Sequence, residues 1–391
     1  MESTSRPFQS APFRPGAGGG DSAAAAERAR ELAAELRSRA PAARLLAIQR
    51  ERRFARRELV ELLIAESFQH RFDDAAEAVA LARLAVAAAD RLTAERDGGA
   101  RRLADLQAEA AATLGNALRV SGDPRQAEGA FVAADRLLAG GSADPLFAAR
   151  LADLKSSLYR DQLRFAEAHA EIETAIATYR RAGLSDWVAR ALVKHGSIYL
   201  FEGRAEAALR ALREAVPLLR PEVDVQTFAL CAHNVVDCLN RTGYSIAARS
   251  MVADLRRLHG RLNDTINLLR LTWLEARIDL ELGADERAEK SFCAVRRGFI
   301  DRGMPYFAAL ASLELAEIYA RRQDPLQMQR LAEGMLPIFQ SQRIHREAVA
   351  ALIVFREAVA MREANVSLIR DVARFLGDAQ RDRTLRFRPR G

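Results

Sequence analysis

Six histidines, three cysteines and a dense set of arginines and carboxylates carry whatever chemistry this 391-residue chain has. Cys231 and Cys238 stand seven apart on one predicted helix, with His233 between them. Two helical turns separate their Cα atoms by roughly 10 Å. That is too far for an intrahelical disulfide and awkward for a single metal ion, so both read as small buried hydrophobes. The remaining histidines (His70, His169, His195, His259, His345) are scattered, and His195 falls at a core-facing place that suits a packed imidazole. Asp73 and Asp74 are adjacent carboxylates, yet sequence neighbours do not face each other on a helix. They read as first-turn acids favoured by the helix dipole. The glycine-rich run Gly16–Ser22 has no strand pattern before it and no lysine after it, so it does not read as a phosphate cradle. The patterns GxxxxGK(S/T), HExxH, GxSxG and CxxC are all absent. Neither an enzyme, a metal nor a cofactor is expected.

The elements that position these residues are helices. Alanine makes up roughly a fifth of the chain, aromatic residues 6%, and glycine and proline number 22 and 12. Such a composition favours helices packed through small residues and leaves too few β-branched and aromatic residues for a large sheet. Three cysteines with no evident pairing fit a reducing compartment. The absence of any long apolar run or hydrophobic leader argues against a membrane span or secretory signal, and a cytoplasmic protein is expected. The formal charge of +7 lies at the ends: residues 1–60 hold twelve Arg against seven acids, and residues 380–391 hold five Arg against one Asp. The body between them is nearly neutral. Only Lys155, Lys194 and Lys290 are lysines, an arginine bias that fits a GC-rich genome. Residues 1–22 read as a disordered leader, 23–55 as a helical extension and 380–391 as a basic disordered tail.

From about residue 56 the chain repeats. Gly122, Gly203, Gly243 and Gly283 mark turns, the last three 40 residues apart. Ala127, Ala168, Ala208, Ala248 and Ala288 follow successive turns at gaps of 41, 40, 40 and 40, and Met328 takes the next such place. Four residues after each alanine comes Phe131, Ile172, Leu212, Val252 or Phe292. Each unit thus reads as a helix closed by a turn residue at positive φ, then a second helix. Asp123-Pro124 restarts the chain in one unit. The alanine sits where the two antiparallel helices approach closest. Such pairs cannot bury their apolar faces alone, so they stack into one continuous core. An earlier unit, with Ala75 at the packing place, precedes an insertion or longer helix around 95–102.

This pattern resembles the tetratricopeptide repeat (TPR) family. Leu114-Gly115, Gly122, Ala127, Phe131 and Ala134 match its motif. So do Gly196, Tyr199, Gly203, Ala208, Leu212 and Ala215, and later Leu315, Ala316 and Tyr319. The period is longer than the usual ~34 residues, as in long-period bacterial variants. Asp279 stands at an aromatic place, Gln323 at a turn glycine and Arg356 at a first-helix glycine, which marks the last repeats as irregular. Over residues 56–379 the resemblance implies an all-α, right-handed α-solenoid of about seven to eight antiparallel helix pairs. Residues 349–378 form a terminal capping pair through Leu352, Phe355, Leu368, Val372 and Phe375.

The resemblance also implies that the first helix of each pair lines a concave groove, where i, i+3/i+4, i+7 spacing gathers one face. Read out, that face offers Glu109, Asn116, Arg119, Arg150, Asp153, Ser157, Arg160, Asp161, Arg190, Ser197 and Phe201. Farther on it offers His233, Asp237, Asn240, Arg241, Arg270, Trp273, Arg277, Glu281, Glu317 and Arg321, with Lys155, Lys194 and Asn234 at its flanks. Two readings stand side by side. In one, Asn116, Arg119, Arg150, Asp153, Arg160, Arg190, Lys194, Asn234, Arg241, Arg270 and Arg277 hold a partner polypeptide while Trp273 anchors an apolar side chain. In the other, the same charges form a ladder between repeats around a buried Trp. The function expected is a non-catalytic adaptor for a partner polypeptide. The alternatives are a peptide- or metabolite-sensing module working with a separate DNA-binding or signalling protein, and nucleic-acid association through the basic ends.

Overall fold

The computed structural model describes residues 21–71, 74–95, 99–262, 265–341, 346–360, 363–379 and 385–387. The leader up to residue 20, Asp73, His345 and the tail arginines 381, 383, 388 and 390 lie outside the described residues. Among the described residues the fold is all-α, with eighteen helices, two 3-10 turns and no strand. No helix is long and apolar enough to cross a membrane among them.

The chain divides into two units, residues 1–198 and 199–391. The first holds α1 (Asp21–Ser38), α2 (Pro41–Arg50), α3 (Arg57–His70), α4 (Ala75–Ala89), α5 (Ala100–Val120), α6 (Pro124–Ala139), α7 (Pro145–Asp161), α8 (Phe165–Arg181) and most of α9 (Ser185–Glu202). The second holds the end of α9, then α10 (Ala205–Ala215), α11 (Val225–Arg241), α12 (Ser245–Arg261), α13 (Thr265–Glu281) and α14 (Asp285–Asp301). It closes with α15 (Pro305–Arg321), α16 (Pro325–Ser341), α17 (Arg346–Ala360) and α18 (Val366–Ala379). From α3 to α18 these form eight helix pairs, within the range the repeat implies.

Within each unit the stacking follows one rule. Consecutive helices pack on one another from α3 to α8 and from α10 to α18, and first helices also meet the first helix of the following pair, as in α3 with α5, α5 with α7 and α11 with α13. The alanine series occupies the tightest places: Ala127, Ala168, Ala208, Ala248 and Ala288 are all fully buried. The glycine opposite explains the need for small residues. A Cβ added to Gly115 would lie 3.0 Å from the ring of Phe131. In the earliest repeat the packing residue is Ala78, fully buried, whereas Ala75 is only half-buried. The reason is register. Asp74 caps α4 by accepting from the Glu77 amide at 2.9 Å, as Asp123 accepts from the Gln126 amide at 3.0 Å. The buried alanine comes four residues after the cap in both. The extra residues before α5 are divided between a longer connection and the 21-residue α5 itself.

Turn geometry repeats as well. Gly122, Gly203, Gly243 and Gly283 have φ between 73° and 86°, and Leu163 and Gln323 adopt φ 60° and 54° at the equivalent places. Non-glycine residues in this region cost about 1–2 kcal/mol. Gln323 is exposed, so Gln323→Gly is expected to stabilise the chain by about 1 kcal/mol. The control Gly283→Ala, with open space around its Cβ, should destabilise by a similar amount; urea unfolding midpoints read both.

At the two ends the pattern loosens. α1 packs on α3 and α2 on α4. Ala33, Leu36, Ala47, Ile48 and Phe54 therefore share one core with Leu59, Leu63 and Leu81. At the other end α18 packs on α15, and Ile369, Val372 and Leu376 join the core of Phe292, Phe299 and Phe355.

Candidate functional site

The polar residues of the first helices are paired across repeats, and the offset is set by the period. In the first unit Arg150 reaches Glu109 at 3.3 Å, Arg119 reaches Asp161 at 2.6 Å and Lys194 reaches Asp153 at 2.6 Å. Partners in these pairs are 41 or 42 residues apart, one helix pair on. Arg119 also donates to Asn116 at 3.1 Å, and Arg160 reaches Asp161 at 2.6 Å. Burial lowers the pKa of Lys194 and of Arg119, with Arg160 repelling both, while Asp161 is held below the usual carboxylate range by Arg160 and Arg119 against its own burial. Arg150 and Arg190 each stand 5.7 Å from the centre of the Trp187 ring. The first-helix face of this unit is therefore lined with ion pairs that bridge successive helix pairs.

In the second unit the same face opens into a recess. His233, Asp237, Arg270, Trp273, Leu274 and Arg277, from α11 and α13, line a space of about 140 Å³. Trp273 is buried, with Phe299 and Phe307 edge-on at 5.4 and 6.1 Å. Its indole N–H donates to Glu314. Arg277 lies 4.5 Å from the indole centre and donates to the same carboxylate at 2.7 Å. The Trp is thus a fixed wall of the recess, held by one carboxylate that also holds Arg277. Arg241 is drawn to Asp237 at 2.9 Å, and Asn234 is buried. Arg270 is exposed and stands 5.9 Å from the Phe307 ring.

His233 gives the recess a neutral donor or acceptor. Burial pushes its pKa down to about 4, helped by His259, Arg270 and Arg277 and opposed by Asp237. Its Nδ1 is buried without a hydrogen-bond partner among the described residues. The recess thus combines a neutral imidazole with a carboxylate, two guanidinium groups and an indole.

The first-helix positions bring together Glu109 with Arg150, Arg119 with Asp161, Asp153 with Lys194, and His233 with Asp237, Arg270, Trp273 and Arg277. The other candidates are spread along the two units. Three residues were not legible. Glu314 was missed although it stands 41 residues after Trp273, the offset that also joins Glu109 to Arg150. Trp187 lies in the first turn of α9, outside the positions read from the repeat. His169 was passed over because its partner His195, 2.9 Å away, sits on a different helix. The cysteines follow expectation: Cys231 and Cys238 are buried and unpaired, and burial raises their pKa values to about 11 and about 12. No cluster of three His, Cys, Asp or Glu that could hold a metal ion occurs among the described residues.

No protein-family model matches the chain, and no curated protein does either. Solved structures do. A Rap protein complexed with Competence and Sporulation Factor is 12% identical, with a TM-score of 0.64 over 83% of this chain and 88% of that one. A Signal Transduction ATPase with Numerous Domains (STAND) protein with a tetratricopeptide repeat sensor, from Pyrococcus horikoshii, is 14% identical, with a TM-score of 0.55 over 91% of this chain. This chain spans about half of that protein, 51% of its length. At these identities the likeness is one of fold. The chain has a TPR-like helical-repeat fold, the class its residue pattern implied.

Proposed function

We propose that the protein is a non-catalytic binding module that holds a segment of a partner polypeptide on the first-helix face, centred on the recess between α11 and α13. The carrying observation is the recess itself, whose walls join His233 and Asp237 of α11 to Arg270, Trp273 and Arg277 of α13. A peptide suits this set: an apolar side chain against Trp273 and Leu274, and carbonyl or carboxylate oxygens for the guanidinium groups at the rim. A space of about 140 Å³ admits one side chain and leaves the rest of the segment on the surface. Two solved structures of the same fold support recognition as its use, one holding Competence and Sporulation Factor and the other carrying its repeats as a sensor.

The sensing alternative draws on the same recess, whose size also suits a small ligand. Nucleic-acid binding has weaker support, since the basic ends lie almost wholly outside the described residues and the first-helix charges are paired internally.

The test replaces Arg270 by Glu, because it is exposed and not part of the core, and compares co-purifying proteins with those of the wild type at equal folded yield. Loss of a partner at least tenfold is the expected result. An unchanged partner set for Arg270→Glu and for His233→Leu would end the proposal.

A further inference from the structure

A second concave site lies in the same unit but shares no residue with the recess. Cys293, Arg296 and Arg297 of α14, Leu315 and Tyr319 of α15, and Gln327, Arg330 and Leu331 of α16 line a cleft of about 250 Å³. Its lining contains three guanidinium groups and an amide, and no carboxylate. In a chain whose arginines are so widely paired, that composition calls for an explanation.

The three arginines differ in how they are held. Arg296 is fixed: its Nε donates to Ser312 Oγ at 3.0 Å, and that fully buried hydroxyl is itself anchored on the Ala308 carbonyl at 2.8 Å. Its Nη2 lies 3.1 Å from where a Cβ on Gly334 would be, so the missing side chain leaves room for the guanidinium. Arg297 and Arg330 are exposed and form no ion pair or hydrogen bond among the described residues. Glu289, on the same helix as Arg296 and Arg297, is already engaged. It takes Arg322 at 2.5 Å and accepts from the Tyr319 hydroxyl at 3.0 Å. One preset fork and two unpaired cations around a cleft of this size match an anion with several oxygens. Leu315, Leu331 and the Cys293 thiol line the rest, which favours an anion carried on a small apolar body over a bare inorganic ion.

We infer that the α14–α16 cleft binds a phosphomonoester, its phosphoryl oxygens taken by Arg296, Arg297 and Arg330 and its organic part lying against Leu315 and Leu331. Guanidinium groups pair with phosphoryl oxygens through two parallel N–H donors each, so three of them satisfy a dianion without any metal. The same chemistry arises on a free metabolite or on a phosphorylated side chain of a protein.

Cys293 supplies a site-specific reporter, because Cys231 and Cys238 are buried and Cys293 is the only cysteine within reach of solvent. The experiment measures the rate at which a thiol reagent labels Cys293 in the full chain, titrated with phenyl phosphate. Saturable slowing of at least fivefold is expected, with inorganic phosphate at least tenfold weaker and benzyl alcohol without effect. The double substitution Arg297→Gln and Arg330→Gln, at exposed positions, should weaken protection at least tenfold, each protein being compared with its own unprotected labelling rate, and leave the melting temperature close to wild type. A phosphotyrosine peptide protecting at lower concentration than phenyl phosphate would assign the source to a protein; equal or weaker protection would assign it to a metabolite. The inference is overturned if phenyl phosphate gives no saturable protection, or if the double variant is protected as well as the wild type.

Discussion

Phe131→Ala is expected to cost about 3–5 kcal/mol. The ring is buried at 2% exposure in the seam between α5 and α6, among Ala111, Leu118, Ala127 and Leu151. It fills the place left by Gly115, whose missing side chain lets the ring come within 3.0 Å of where a Cβ would stand. Truncation removes the ring and leaves a void that helices spaced by Ala127 and Ala134 cannot collapse to fill. The companion Gly115→Ala tests the seam from the other side. A methyl at 3.0 Å from the ring must push it or the helix, at a cost of about 1–3 kcal/mol. Combining the two should relieve part of the clash, so the double variant should be less destabilised than the sum of the singles. Urea titration of the four proteins measures this, and strict additivity would show that the ring and the glycine do not share one packing site.

Acid should unfold this protein over a window set by two histidines. Burial lowers the pKa of His195 to about 4, with His169 adding to it, and that of His233 likewise to about 4. Between that value and the ordinary histidine value near 6.5, the unfolded chain binds protons that the folded chain refuses. Stability is therefore fully present above about pH 6.5 and is lost as the pH falls towards 4. A shift of this size is on the order of 3 kcal/mol for each imidazole at the bottom of the window. His195 faces His169 at 2.9 Å and the exposed carboxylate of Glu173 at 3.9 Å, and burial outweighs that carboxylate. Carboxylates held low by arginine, such as Asp161 by Arg160 and Arg119 and Glu317 by Arg370 and Arg321, act in a lower window. Unfolding free energies at pH 7.5 and pH 5 should differ clearly for the wild type. The difference should shrink by about half in His195→Leu, and equal values for both proteins would show that this imidazole titrates normally.

The period carried most of the fold into view. Small residues must recur where helices touch and turn residues where they reverse, and both are visible as Ala127, Ala168, Ala208, Ala248, Ala288 and the glycines near them. Where a turn was filled by Leu163 or Gln323, the backbone took the same positive φ without the glycine that announces it. Alanine is too common here to fix a register by itself; the packing place lies at Ala78 and not at Ala75, and the Asp74 cap fixes it. The helical extension after residue 22 was legible in outline, whereas the packing of α1 on α3 was not, since nothing in its own residues names a partner.

The site was legible in position and illegible in state. Helical spacing placed Arg270, Trp273 and Arg277 on one face, and α13 does bring them together. Whether a polar face is satisfied internally depends on contacts between repeats. Glu314 claims both Trp273 and Arg277, Asp153 claims Lys194, and none of these choices is visible from one helix alone. The ion pairs of Arg119, Arg150 and Lys194 lie in the first unit and the recess in the second, so the two alternatives draw on different residues except at Arg277, which lines the recess and pairs with Glu314.

The central claim is that a polypeptide occupies the α11–α13 recess. Its most direct measurement places a photo-crosslinking amino acid at position 270 and, as a control, at Ile246, an exposed residue outside the recess, and identifies adducts formed in cell extract by mass spectrometry. One discrete polypeptide crosslinked from position 270, absent from position 246 and lost on adding His233→Leu, is the expected result. No adduct from position 270, or the same adducts from both positions, would contradict it.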